Sequence, residues 1–195
     1  MTRDIHPIER QSYAILRSRA DALALPPWTR AVTERVIHAS ADTGYLGDLV
    51  CAEEALAAGA AALRSGALVA ADAQMVAAGI TARDVVCRVR DPRAAALAER
   101  AGITRSAAGI RIASADVGPG AVWVIGTAPT ALAELLTLDA APALIIGLPV
   151  GFVGAVDAKQ ALRASGLPAL SNRSEKGGAA VAAAALNALL YREEP

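Results

Sequence analysis

Between Gly147 and Leu190 the chain reads GLPVGFVGAVDAKQALRASGLPALSNRSEKGGAAVAAAALNALL, two glycine-rich turns, each preceded by a short apolar strand and followed by an alanine-rich helix. That order leaves little choice of architecture. A short apolar run, a glycine turn and a helix make the repeating unit of a parallel sheet buried on both faces. Glycines also let the backbone come close to a ligand, and helix N-termini aim N–H groups at negative charge. Isolated cations beside the turns extend the expectation to a cleft for an anionic small molecule.

The rest of the chain repeats the pattern. Apolar, rarely alternating runs predict strands at Ala67–Ala71, Val85–Val89, Ala121–Ile125, Ala143–Ile146 and Pro168–Leu170. Helical spacing and propensity predict helices over Ile8–Arg19, Thr29–Ser40, Ala52–Ser65, Pro92–Ala101, Thr104–Ile112, Pro129–Leu138, Ala155–Ala164 and Gly178–Tyr191, with an irregular segment around Thr43–Gly47. The expected fold is α/β, an open, doubly wound, mostly parallel sheet flanked by helices in the Rossmann manner. It forms one domain over 1–195, and an N-terminal helical segment of about 8–40 packs on the α/β core. Aromatics are only 3% of the chain against 54% hydrophobic residues, so the core must be built from Ala, Val, Leu and Ile.

Charge removes several functions. Nineteen basic and nineteen acidic residues cancel, and no Lys/Arg run is interleaved with aromatics, which argues against nucleic acid as a partner. The start MTRDIHPIERQ lacks the apolar stretch of a signal peptide. Segments such as Ala140–Val156 contain Pro and several Gly and do not read as membrane spans. Cys51 and Cys87 have neither CxxC spacing nor neighbouring histidines, so they read as buried thiols of a reducing compartment. With only His6 and His38 available, no metal site is expected. The glycine spacing does not match the dinucleotide fingerprint, so no nicotinamide cofactor is expected either.

Ligands of open parallel sheets sit beyond the carboxyl ends of the strands. Four turns there are unusual: Asp72–Met75, Gly126–Ala131, Gly147–Gly154 and Ser171–Gly178. Turns between strand and helix need glycines and caps in any case; it is the four together on one rim that favour a cleft. Their candidate binding residues are Asp72 and Met75; Thr127, Ala128, Pro129 and Thr130; Gly147, Pro149, Val150, Gly151, Phe152, Val153 and Gly154; and Lys176, Gly177 and Gly178. Phe152, the only phenylalanine of the chain, reads as a wall facing a ligand rather than as core. Arg105, between Thr104 and Ser106, opposes the dipole of the helix it opens, which hints at an anionic ligand. Arg173 carries the same hint more weakly. On the second helix, a buried stripe of Val32, Val36 and Ala39 puts His38 about 200° from Val36. Arg35 shares the face of His38, and Glu34 lies within reach of it. His38 is the one imidazole placed to exchange a proton near neutral pH if that face lines the cleft, whereas His6 reads as a surface residue.

These segments together resemble the precorrin-8X methylmutase family of corrin biosynthesis. The resemblance rests on HPIERQSYAILRSR (His6–Arg19), RVIHASAD (Arg35–Asp42), DAQMVAAGI from Asp72, ITRSAAG (Ile103–Gly109), GTAPTAL (Gly126–Leu132), PALIIGLPVGFVGAVDAK (Pro142–Lys159) and KGGAAVAAAALNALL from Lys176. Thr127 stands where the family pattern would have an amide. The resemblance implies migration of a methyl group from C11 to C12 of precorrin-8X to give hydrogenobyrinic acid, by a cytoplasmic homodimer with no organic cofactor. It also implies that His38 is the proton donor and acceptor, that Ser12 and Arg35 touch substrate, and that Arg105 and the GLPVGFVG turn line the macrocycle pocket. In that role Arg35 binds a carboxylate arm and, as a like charge, holds the His38 pKa down. Three other readings stay open at this point: a cobalt-bound substrate, a non-catalytic tetrapyrrole carrier, and an unrelated enzyme of nucleotide or sugar phosphates.

Overall fold

A computed structural model describes residues 6–20 and 22–191. Within them the chain runs α1 (Pro7–Arg19), α2 (Pro27–Ser40), α3 (Tyr45–Asp48), β1 (Leu49–Cys51), α4 (Glu53–Arg64), β2 (Val69–Ala71), α5 (Gln74–Gly79) and β3 (Val85–Val86). It continues through α6 (Pro92–Ala101), α7 (Arg105–Val117), β4 (Val122–Ile125), α8 (Pro129–Leu135), β5 (Leu144–Gly147), α9 (Ala155–Ala164), β6 (Ala169–Asn172) and α10 (Ala179–Tyr191). Strand order in the sheet is β1–β6–β5–β4–β2–β3. Every pairing is parallel except that of β1, which closes one edge antiparallel to β6.

Successive strand side chains point to opposite faces, so each strand feeds two layers. Val69, Val122, Val124, Leu144 and Ile146 pack under α4, α5 and α10, in one core with α1 and α2 farther out. Ala70, Trp123, Ile125 and Ile145 pack under α7, α8 and α9. A fully buried Val, Leu or Ile contributes roughly 1.5–3 kcal/mol, so these aliphatic layers hold the fold with few aromatics. Helix ends follow local chemistry. Thr104 caps α7 by accepting from the Ala107 N–H, and Asp91 caps α6 by accepting from Arg93. Gly102, at φ +64°, ends α6 in the left-handed conformation that suits glycine.

One helix is buried all round and apolar but for Asn187, whose amide donates to the Gly79 carbonyl. Val181 through Leu189 of α10 are all buried, because α10 lies between the sheet and α2, with α4 and α5 packed against the sheet on either side of it. Its alanines permit close approach: a Cβ on Gly79 would come 2.7 Å from that of Ala183, and one on Gly126 2.8 Å from that of Ala182.

The expected architecture holds, and several details change. Strand Val85–Val89 shrinks to Val85–Val86, because Arg88 and Asp91 close a turn that leads into the cap of α6. The last strand runs on through Ser171 and Asn172, whose polar side chains find internal partners instead of ending the strand. β1 was not expected, nor were the short helices α3 and α5. The Thr104–Ile112 helix extends to Val117, and the Pro129–Leu138 helix stops at Leu135. On α2 the buried stripe is Val32, Thr33, Val36 and Ile37, whereas Ala39 is exposed on its flank.

Candidate active site

Since β2, β4, β5 and β6 are parallel neighbours, the turns that leave them share one edge of the sheet. Asp72, just past β2, organises the turn after β4. One carboxylate oxygen accepts from the Gly126 N–H at 3.0 Å, and the other from Thr127 at 2.9 Å and Ala128 at 2.7 Å. The side chain is buried, and burial pushes its carboxyl above the ordinary value although the three N–H donors oppose this. Its polar capacity goes to backbone, so Asp72 shapes the rim from within. Beside it the Thr127 hydroxyl oxygen is buried without a protein partner.

The turns after β5 and β6 are woven together. The Gly178 N–H donates to the Leu148 carbonyl at 3.0 Å and the Gly151 N–H to that of Glu175 at 3.1 Å. Gly177, at φ +153°, lies so close to Leu148 that any Cβ would overlap its carbonyl oxygen. Beneath this weave is a residue that sequence reasoning missed. Lys159 of α9 is fully buried, and its ammonium donates to Asn172 Oδ1 at 2.9 Å, to the Lys176 carbonyl at 2.8 Å and to the Ser174 carbonyl. The Asn172 amide nitrogen donates in turn to Asp48 at 2.8 Å, and Asp48 also accepts from Arg173, from the Ser174 N–H and from its hydroxyl. Burial pushes the Asp48 carboxyl up, but these donors outweigh it and leave it below its ordinary value.

A second wall comes from α1 and α2. The Ser12 hydroxyl lies 2.8 Å from His38 Nδ1, and the Tyr13 ring stacks on the imidazole with centroids 5.0 Å apart and planes 8° from parallel. Ser12 and Tyr13 reach His38 because α1 covers the side of α2 that α10 leaves uncovered. Arg35, on the same side, donates to Glu9 at 2.6 Å, so its charge is compensated within the protein. Glu34 does not serve His38. It is buried and accepts from Arg17 at 3.0 and 2.8 Å and from Arg30 at 3.0 Å. Its carboxyl stays below the ordinary value, since these bonds outweigh the opposing effect of burial. His6 is exposed and caps α1, accepting from the Ile8 N–H at 3.2 Å.

The two walls are joined. Lys176 bonds Asp42, two residues past the end of α2, at 2.7 Å and lies over the Tyr45 ring at 5.7 Å. Burial, with Asp42 and Asp48 nearby, pushes the Tyr45 phenol up to about 12, so the ring is a neutral platform for that cation. The polar face of α2 therefore ends at the loop that leaves β6, on the rim of the sheet.

Other expected residues occupy the same rim. Thr104 and Thr130 hold α7 to α8 through a 2.7 Å hydroxyl contact. Arg105 is exposed in the first turn of α7, makes no ion pair among the described residues and has half-buried Ser106 beside it. Pro149 and Gly147 are buried, Pro129 starts α8, and Gly154 caps α9 at φ +74°. Phe152 is 95% exposed and Val153 89%, side by side in the turn after β5, with Val150 at 45%; Met75, at the start of α5, is 66% exposed. The exposed Arg173 donates to the Gly47 carbonyl. Among the described residues no three His, Cys, Asp or Glu cluster to hold a metal ion, and no helix is long and apolar enough to cross a membrane.

Comparison with known proteins gives a consistent answer. The family profile described as precorrin-8X methylmutase matches residues 7–192. A precorrin-8X methylmutase of Pseudomonas aeruginosa is 43% identical over 204 residues, covering 98% of both chains. A cobalt-precorrin-8 methylmutase of Salmonella typhimurium is 38% identical over 196 residues, covering 94% of this chain and 93% of that one. The crystal structure of a precorrin-8X methylmutase from Thermus thermophilus superposes with a TM-score of 0.85 at 33% identity, covering 94% and 93% of the two chains.

Proposed function

The chain belongs to the precorrin-8X methylmutase family, and from that premise we propose that it moves a methyl group from C11 to C12 of precorrin-8X, with His38 as the proton donor and acceptor. It is an isomerase of cobalamin biosynthesis, an intramolecular methyl transferase. A methyl shift within one molecule leaves nothing to add or remove, so the protein's part is to hold the macrocycle in one geometry and to lend a proton. In this reading the imidazolium protonates the conjugated nitrogen–carbon system near the migration site. The methyl group then moves with its bonding pair to the electron-poor carbon, and the proton returns to His38.

The observation that carries the reading is the pairing of the two walls. His38 is oriented by Ser12 and Tyr13 on a helix that Asp42 and Lys176 tie to the glycine turns of the sheet. Between those walls the exposed apolar turn of Val150, Phe152 and Val153 suits the ring, and Arg105, which makes no ion pair among the described residues, suits a carboxylate arm. The higher identity to a relative named for the metal-free substrate favours precorrin-8X over cobalt-precorrin-8. A homodimer in the cytoplasm completes the proposal. Purified protein mixed separately with precorrin-8X and with cobalt-precorrin-8 is expected to change the absorbance of the first faster. No change with either substrate refutes the assignment, and binding without rearrangement leaves a carrier.

A further inference from the structure

Lys159 lies outside every motif assigned above to substrate, yet the loop at the centre of the site is built on it. Residues 173–178 form neither strand nor helix, and the carbonyls of Ser174 and Lys176 turn inward to meet its ammonium. With Asn172 Oδ1 as third acceptor, each of the three N–H groups has a partner. Asp48 grips the same Asn172 through its amide nitrogen, so a buried cation and a half-buried anion clamp the end of β6 together. Downstream stand Lys176 on Asp42, Gly177 over the Leu148 carbonyl and Gly178 bonded to it.

We propose that protonated Lys159 is the positioning residue of the active site, holding the loop after β6 so that the GLPVGFVG turn and the His38 helix stand at their working separation. What the site does rests on the family reading; how it is held rests on this geometry alone. An apolar side chain at 159 leaves three buried oxygens without a donor. The charges facing Lys159 are Arg163 on its own helix, Asp48 on α3 and Glu175 in the loop; β6 offers neutral Asn172.

Burial pushes the Lys159 ammonium down to about 8, with Asp48 and Glu175 opposing and Arg163 assisting. An opened loop or an unfolded chain returns the amine to water, where it keeps its proton up to about 10.4. Between the two values both bind more protons than the closed fold, so this group's contribution to loop closure and to stability grows with pH. The lock is therefore tested through the side chain and not through alkali.

The experiment titrates the protein and two variants, Lys159→Met and Lys159→Gln, with hydrogenobyrinic acid at about pH 7 and follows amide-exchange protection at Gly151 and Gly178. Lys159→Met is expected to bind at least roughly tenfold more weakly than wild type, and Lys159→Gln, which keeps an N–H donor, to recover part of that loss. Protection at the two glycines drops in Lys159→Met while the α10 amides keep theirs. Unchanged protection in Lys159→Met, or wild-type protection and affinity in Lys159→Gln should Lys159→Met not fold, overturns the proposal. A wild type that binds no corrin refutes the family reading instead, and the exchange data still decide the role of Lys159.

Discussion

A single hydroxyl and a phenol ring leave the His38 imidazole few orientations, and the consequence is measurable residue by residue. His38→Ala is expected to lower kcat by at least roughly 10²–10⁴-fold while changing macrocycle affinity little, as read by single-turnover absorbance and by equilibrium titration. Near wild-type conversion removes the imidazole from the mechanism. At this scale the sequence was partly legible. His38 stood out because the chain has only two histidines, and Arg35 because it lies three positions away on the same helix. Tyr13 and Glu9 did not, since their partners are some 25 residues distant and no local spacing encodes a contact between two helices. Glu34 misled for the complementary reason. Four residues separate it from His38, but Arg30, four residues to its other side, and Arg17 on α1 claim its carboxylate.

Among the elements, the two woven turns carry the sharpest prediction. Gly177→Ala asks a side chain to adopt a φ of +153° and to overlap the Leu148 carbonyl, two costs that act together. The expected loss is at least about 2 kcal/mol of stability, measured by denaturant unfolding; a variant as stable as wild type refutes the described packing. The parallel strands and long helices were legible because each repeats an unbroken apolar or helical pattern. What escaped was short. β1 has three residues and takes its place from pairing with β6, and α5 is a single stretch over Gln74–Gly79 behind Asp72. Asp72 itself was read as part of a binding turn, and its bonds to Gly126, Thr127 and Ala128 come from a segment more than fifty residues away. Lys159 drew no reading of its own, because the carbonyls that receive it belong to a loop whose path no residue pattern announces.

For the molecule as a whole, acid is the informative perturbation. The carboxyls of Asp48 and Glu34 lie below their ordinary values in the folded state. Their stabilisation is therefore complete above the unfolded values near about 4 and is lost as pH falls through the lower folded values. Melting temperature is expected to fall progressively below about pH 4, and Asp48→Asn to flatten that slope while lowering Tm at neutral pH. An unaltered slope refutes the role given to Asp48. Assembly and the exposed turn of Phe152 are tested separately. Sedimentation is expected to find a dimer, with Phe152→Asp weakening macrocycle binding; a monomer at all concentrations refutes the homodimer.

The alanine-built α10 has a consequence beyond packing. It acts as a shim of minimum thickness, filling the gap between α2 and the sheet. If α2 lends the proton and the turns of the sheet seat the pigment, as proposed, its calibre is a dimension of the catalyst, because each methyl group added along it would lift one wall from the other.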